Sequence, residues 1–190
     1  MNYAIKCGIR NIGENKVQEI MAKYEKIEEN VNWHLIGHLQ TNKVKYIIDK
    51  VALIHSVDSI GLAEEISKRA EKAGLVKDVL VQVNVAQEET KFGIEYDDTD
   101  SFVERLSGFS GIRVKGLMTI APYYDDAELA RPVFRQLKEK FDMLAAAGIP
   151  NVNMKYLSMG MTNDYKVAIE EGSNMVRIGT GIFGARNYDL

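Results

Sequence analysis

Short β-branched segments alternate with longer helical patterns along almost the whole chain. The clearest strand, 78–85, is nearly continuous in apolar residues, which is typical of a parallel strand covered on both faces. Residues 14–29 instead place apolar side chains at helical spacing. This alternation predicts β/α units around a parallel sheet. The predicted strands are seven: 9–12, 32–36, 52–57, 78–85, 113–119, 153–158 and 175–179.

Two architectures accommodate seven parallel strands, a doubly wound open sheet and a (β/α) barrel. A complete barrel has eight strands and about 250 residues, whereas this chain has 190 residues. Residues 1–8 have the pattern of a helix end, and the strand of that unit would precede them. We therefore predict an α/β fold, a TIM-type (β/α) barrel that lacks its first strand, with residues 1–190 as a single domain.

Charge and cysteine content argue against several classes of protein. The 24 basic and 27 acidic residues are interspersed, so no basic stripe is available for nucleic acid. The single cysteine, Cys7, cannot form an internal disulfide, which favours a reducing compartment. No apolar run reaches the roughly 18 residues of a membrane helix, and the N-terminus has no signal-peptide core. We expect a cytoplasmic protein that binds neither nucleic acid nor membrane.

Small and hydroxylated residues end the last two predicted strands. Phosphate commonly binds to barrels at the loops after the last two strands, beside a short extra helix. Gly179 would let backbone N–H groups approach an anion, and Ser158 and Thr180 would add hydroxyl donors. These residues could instead only shape turns, but two such ends on consecutive strands favour a phosphate site.

Arg177 lies between Val176 and Ile178, in a strand that we expect to be buried. A buried guanidinium without a partner would cost roughly several kcal/mol, so it must meet acceptors. Two kinds of partner remain open at this stage. One is the carboxylate of a neighbouring strand, and the other is a bound ligand.

Two further motifs are set aside. Residues 179–184 fit Gly-x-Gly-x-x-Gly, but a dinucleotide fold needs an acidic residue about 20 positions later, and the chain ends at Leu190. His34 and His38 are four apart, yet they lie on a strand and at its end, with no third ligand nearby. We expect these two, and His55, to be hydrogen-bonding side chains near the pocket mouth and not metal ligands.

Ordered blocks of sequence resemble the pyridoxal phosphate homeostasis protein family (YggS/PROSC type), whose fold is similar to the N-terminal barrel of alanine racemases. The resemblance extends from about residue 4 to the end of the chain. The matching blocks are 13–19, 33–43, 55–58, 91–94, 116–122, 157–162 and 176–186.

The resemblance implies a site for pyridoxal 5′-phosphate. Arg177 would face the pyridine nitrogen, with Asn15 near the ring. An arginine keeps its protons, so that nitrogen would stay unprotonated and the ring would be a weaker electron sink. This favours a binding protein over an enzyme, with no catalytic residue. The phosphate, or a phosphate or sulfate anion, would be bound by Ser158, the Met159 amide, Gly179 and Thr180.

The chain departs from the family at its lysine. The family's Schiff-base lysine lies at the end of the first barrel strand, which would precede Met1 here. We therefore expect an N-terminally truncated member that binds the cofactor non-covalently. Lys91, which follows a strand end, is the first alternative to check. None of the candidate lysines has the family position: Lys43, Lys91, Lys115, Lys155 and Lys166.

An open seam should separate the first and last strands and leave backbone groups unpaired. We expect partial closure, filling by a loop or helix, or pairing with another chain, hence a monomer or a dimer. Three other functions remain open. They are a racemase-like enzyme, which would need a catalytic lysine and usually a second domain, another phosphate-binding barrel enzyme, and a non-binding truncated remnant.

Overall fold

A computed structural model describes residues 1–27, 29–88 and 91–184 of the chain. Within these ranges the strands form one parallel sheet, in which seven follow the order β1-β2-β3-β4-β6-β7-β8 and the short β5 pairs with β4. The strands are β1 (Asn11–Glu14), β2 (Asn32–Leu35), β3 (Leu53–Val57), β4 (Lys77–Asn84), β5 (Ile94–Glu95), β6 (Ile112–Met118), β7 (Val152–Met161) and β8 (Met175–Arg177).

Helices follow the strands and cover the outside of the sheet, which gives a nearly closed (β/α) barrel. A 3₁₀ helix, Thr41–Tyr46, follows β2, and a second 3₁₀ turn, Ala127–Ala130, precedes the long helix α5. The α-helices are α1 (Asn2–Lys6), α2 (Val17–Tyr24), α3 (Ile60–Lys72), α4 (Thr99–Ser107), α5 (Arg131–Ala146), α6 (Tyr165–Glu170) and α7 (Thr180–Phe183).

The strand predicted at 9–12 begins later than expected. Gly8 has φ +100° and the Arg10 guanidinium donates to the Ile5 carbonyl at 3.0 Å, so residues 9 and 10 belong to the turn after α1. The two-residue strand β5 was not predicted, because so short a segment has no measurable periodicity. The other predicted strands agree with the structure to within a few residues.

Apolar side chains pack on both faces of the sheet. The larger cluster joins strand residues such as Ile54 and Val79 to helix residues such as Ile66. Since successive side chains of a strand point to opposite faces, the smaller cluster fills the inside of the barrel. Its members are Leu53, Leu80 and Met118, with Tyr156 and Met175 packed against them.

The sheet path begins at β1 and ends at β8, and among the described residues no backbone pairing joins these two strands. Also within these residues, no helix combines the length and apolarity needed to span a bilayer. The oligomeric state stays a prediction.

A glycine allows β6 and β7 to approach each other closely. Gly116 has φ +147°, and a Cβ at this position would lie 1.8 Å from the Tyr156 carbonyl oxygen. The register between the two strands shifts between Val114 and Gly116. The strand that carries Ser158 is therefore aligned beside β6 through a position that only glycine fits.

We expect Gly116→Ala to lower the free energy of unfolding by at least about 2 kcal/mol, because the new methyl group meets backbone in a left-handed conformation. Urea unfolding followed by the fluorescence of Trp33, the single tryptophan, measures this. Gly61→Ala is the matched control, since nothing lies within 4 Å of a Cβ there, and it should be neutral or stabilise by up to about 1 kcal/mol. Equal effects of the two substitutions would contradict this role of Gly116.

Candidate functional site

A polar layer lies directly above the inner apolar cluster, towards the carboxyl ends of the strands. Residues two positions apart on a strand share a face, so the side chains that follow the cluster also point into the barrel. His34 points the same way, because its neighbours Trp33 and Leu35 belong to the outer core. The inner polar residues are His34 on β2, His55 on β3, Gln82 on β4, Ser158 on β7 and Arg177 on β8.

Arg177 is held by uncharged partners. One terminal nitrogen, Nη1, donates to Ser158 Oγ at 2.8 Å, and the other, Nη2, donates to the Thr119 carbonyl oxygen at 2.7 Å. Among the residues that the structure describes, no carboxylate lies within salt-bridge distance of the guanidinium. The first of the two partners considered from sequence, a structural ion pair, is therefore not present.

Burial lowers the pKa of Arg177 to about 10, and the charge of Asp164 opposes this shift. The guanidinium is still protonated at neutral pH, so a positive charge lies in the barrel, and its described hydrogen-bond partners are uncharged. The residue is half-buried, which leaves part of it accessible to a ligand.

The hydrogen-bond chain continues from Ser158 to two histidines. Ser158 Oγ lies 3.0 Å from His55 Nδ1, and His55 Nε2 lies 3.0 Å from His34 Nδ1. Ser158 is 0% exposed, His55 1% and His34 8%. The prediction that these histidines are hydrogen-bonding side chains is confirmed, but they are buried and not at a pocket mouth, because the side-chain alternation of β2 and β3 directs both into the barrel.

Both inner histidines are neutral at pH 7. Burial lowers the pKa of His34 to about 4. Burial also lowers the pKa of His55 well below its ordinary value, with further lowering by the charges of His34 and Arg177. The layer around Arg177 thus contributes no second positive charge at neutral pH.

His38 lies apart from this chain. Its ring stacks on Phe92, with 3.9 Å between centroids and an interplanar angle of 13°, and its Nδ1 is 3.5 Å from Asp58 Oδ2. His34 and His38 therefore face different partners and do not converge. Among the described residues, no group of three His, Cys, Asp or Glu side chains could hold a metal ion.

The exposed hydroxyl pair of the site is Thr162 and Thr180. Their Oγ1 atoms are 3.1 Å apart, and the Gly181 amide donates to Thr162 Oγ1 at 3.1 Å. Gly179 caps α7, is exposed, and has no atom within 4 Å of where a Cβ would be. Thr162 was not predicted, although it is the last residue of the block 157–162.

The predicted phosphate residues are therefore not equivalent. Gly179 and Thr180 are exposed, whereas the Ser158 hydroxyl is fully buried between His55 and Arg177. The Met159 side chain is buried in the outer core, so only its main chain could meet a ligand, as predicted. Asn15 is exposed and follows β1 at the same end of the parallel sheet.

The chain matches the family model of the alanine racemase N-terminal domain over residues 1–187. A pyridoxal phosphate homeostasis protein of Aquifex aeolicus is 50% identical over 183 residues, which cover 96% of this chain and 79% of that relative. The chain belongs to the pyridoxal phosphate homeostasis protein family. The resemblance drawn from the sequence blocks is confirmed, although residues 185 and 186 of the last block lie outside the described ranges.

Solved structures of this family confirm the barrel. PipY of Synechococcus elongatus PCC7942, solved with PLP bound, has a TM-score of 0.86 at 32% identity, over 96% of this chain and 85% of PipY. An alanine racemase of Clostridium difficile 630 shares the fold, with a TM-score of 0.78 at 18% identity, over 97% of this chain and 47% of the racemase. The curated relatives from Aquifex aeolicus, Haemophilus influenzae and Escherichia coli are named as pyridoxal phosphate homeostasis proteins and not by a catalytic activity, in agreement with the expected binding protein.

The candidate lysines of this family member are peripheral to the Arg177 network. Lys91 Nζ lies 3.9 Å from Glu88 Oε2, and its side chain is 41% exposed. Lys155 lies over the Tyr156 ring at 5.0 Å. In the described hydrogen bonds, neither lysine contacts Arg177, Thr162 or Thr180.

The neutral histidines make stability depend on pH. Their pKa values are lower in the folded chain, so the unfolded chain takes up protons first as the pH falls. The contribution of His34 to the free energy of unfolding has its full value above pH 6.5. It decreases by up to about 3 kcal/mol as the pH falls from 6.5 to about 4. Urea unfolding followed by circular dichroism between pH 7.5 and 4.5 measures this loss.

His34→Gln should reduce that pH dependence by the share of His34, because glutamine takes up no proton, while His55 keeps its own contribution. His38→Gln is the control and should keep the parent's dependence, since this side chain is exposed and outside the network. If the parent and His34→Gln lost stability in parallel, His34 would not be the group responsible.

Proposed function

We propose that this chain binds pyridoxal 5′-phosphate non-covalently at the carboxyl end of its barrel and acts in vitamin B6 homeostasis. The observation that carries the proposal is the Arg177 guanidinium, a charge whose hydrogen-bond partners in the described ranges are the Ser158 hydroxyl and the Thr119 carbonyl. Neutral dipoles stabilise such a charge without neutralising it, so an anionic ligand with a ring acceptor gains by approaching it.

The phosphate is assigned to the end of β7 and the start of α7. Gly179 and Thr180 offer accessible backbone and a hydroxyl there, and the Met159 amide belongs to the neighbouring strand end. Thr162 joins this group because its hydroxyl lies beside that of Thr180. An inorganic phosphate or sulfate ion carries the same oxygen atoms and would compete for the same donors.

The ring is assigned to the space beside Arg177 on β8, with Asn15 near it. Asn15 follows β1, the strand at the other end of the sheet path. Arg177 keeps its protons at neutral pH and acts only as a donor, so it selects an unprotonated pyridine nitrogen. When bound, pyridoxal phosphate supplies an aldehyde and an electron-accepting ring. With its nitrogen unprotonated, the ring is a weaker electron sink, which favours holding and releasing the cofactor over carbanion chemistry.

The positions of the lysines are the reason for proposing non-covalent binding. Lys91 is engaged by the Glu88 carboxylate at 3.9 Å, and in the described hydrogen bonds no lysine reaches the Arg177 layer. The affinity would then rest on the phosphate donors and on Arg177.

Titration with pyridoxal 5′-phosphate should give saturable binding that dialysis reverses, and borohydride should leave no stable adduct on the protein. Arg177→Gln should weaken binding about tenfold or more, the usual value of a hydrogen bond to a charged group. Absorbance and fluorescence quenching of Trp33 measure the affinity, and mass spectrometry after borohydride treatment detects an adduct.

Arg135→Gln is the matched control. That arginine pairs with Glu171 on the outer surface and has 60% of its side chain exposed, so its loss should leave the affinity unchanged. A borohydride-stable adduct would overturn the non-covalent proposal. Failure of the parent chain to bind the cofactor at all would favour the non-binding remnant.

A further inference from the structure

We infer that His55 and His34 are positioning residues for Arg177, acting through the Ser158 hydroxyl, and that this relay determines affinity for the ring of the ligand but not for its phosphate. The inference rests on the proposed function and deepens it. It also changes the role of Ser158, which the family resemblance would assign to the phosphate.

The relay is continuous across the barrel. It runs from His34 on β2 through His55 on β3 and Ser158 on β7 to Arg177 on β8, and it ends at the Thr119 carbonyl oxygen that follows β6. The successive donor–acceptor distances are 3.0, 3.0, 2.8 and 2.7 Å. All four lie in the range of ordinary hydrogen bonds, so the position of each group constrains the next.

Proton counting restricts how the relay is arranged. Arg177 can only donate, so Ser158 Oγ must accept from it. Ser158 then either donates its own proton to His55 Nδ1 or accepts a second one from it. In the first case His55 Nε2–H donates to His34 Nδ1, and in the second case His34 Nδ1–H donates to His55 Nε2. Both rings stay neutral in either case, but only the first arrangement gives the buried Ser158 proton an acceptor among the described hydrogen bonds.

Without His55, Ser158 would lose the group that orients its hydroxyl. Ser158 is fully buried, so no solvent is at hand to replace His55 as a partner. A serine hydroxyl can turn among its staggered rotamers, and the lone pair that faces Arg177 would then no longer be fixed. The guanidinium would keep its charge, but its hydrogen bond to Ser158 would no longer fix its orientation.

Few charged groups act on the two histidines. The charge of Arg177 on β8 acts on His55, and the charge of Asp164, after β7, acts on Arg177. On β4 the inner side chains are uncharged and tied to the following loop, Gln82 to the Phe92 carbonyl and Asn84 to the Glu88 carbonyl, both at 3.0 Å. In the described residues no carboxylate contacts either ring, so protonation of a histidine would add a second positive charge beside Arg177.

The first test compares two ligands and needs no catalytic activity. We expect Ser158→Ala and His55→Leu to weaken binding of pyridoxal 5′-phosphate about three- to tenfold, the value of one oriented hydrogen bond. Binding of inorganic phosphate should change less than about twofold, because the relay does not touch the phosphate donors. His55→Gln, which keeps a neutral donor and acceptor, should restore most of the affinity for the cofactor.

A direct phosphate contact by Ser158 would instead weaken both ligands equally in Ser158→Ala. A purely structural role of His55 would weaken both ligands in His55→Leu, with no rescue by glutamine. Either pattern overturns the inference, and so does unchanged binding of both ligands. Circular dichroism at pH 7.5 selects the variants that fold, and Ser158→Ala, the smallest change, stands in if His55→Leu does not.

A second test uses the chain without ligand, so that its outcome is independent of the proposed function. The chain has three histidines, whose ring nitrogens can be resolved by ¹⁵N NMR. Ser158→Ala should shift the ring signals of both His55 and His34, although His34 is not in contact with Ser158, and should leave those of His38 unchanged. Unshifted His34 and His55 signals would show that the relay is absent. A confirmed relay without cofactor binding would disprove only the proposed function.

Discussion

The positive charge of Arg177 inside the barrel is the constraint that organises the candidate site. An unsolvated guanidinium is tolerated only when its N–H groups meet acceptors, and here those acceptors are a hydroxyl and a main-chain carbonyl, contributed by two neighbouring strands. Ser158 can serve in this way only because β7 is held in register beside β6, with Ser158 opposite Met118. The apolar layer of Leu53, Leu80 and Met118 lies beneath it inside the barrel, so the polar part of the interior is the part at the carboxyl ends of the strands.

Much of the fold could be predicted from the sequence, because the strands and helices are long enough to show their periods. The strands predicted at 78–85 and 113–119 agree with β4 and β6 to within one residue at each end. What periodicity cannot show is register. Ser158 and His55 are 103 residues apart and meet only because β3 and β7 face each other across the barrel. The position of Ser158 at a strand end therefore suggested a phosphate ligand, and the sequence did not indicate that His55 and Arg177 are its neighbours.

The histidines illustrate a signal that was present and not used. His34 stands between Trp33 and Leu35, and His55 stands two residues after Leu53, so the alternation of strand side chains already directs both rings into the barrel. Arg177 was singled out for the same reason, as a charged residue between two apolar ones, and its role toward a ligand stays a prediction. Thr162 follows a register irregularity between Ser158 and Met161, where alternation no longer indicates which way a side chain points, and it could be recognised only from the structure.

The chemical nature of the layer around Arg177 decides what the site can bind. A carboxylate in place of Ser158 would hold the guanidinium more strongly, but it would also neutralise the charge and leave little for a ligand to gain. Neutral groups hold the guanidinium by hydrogen bonds without forming an ion pair with it, so its charge stays available to a ligand. The histidine pair fulfils this condition only while burial keeps the pKa of both rings low. The same burial that makes the histidines poor bases thus preserves Arg177 as the one charged donor of the described inner layer, and a ligand with an unprotonated ring nitrogen, as proposed above, would accept from such a donor.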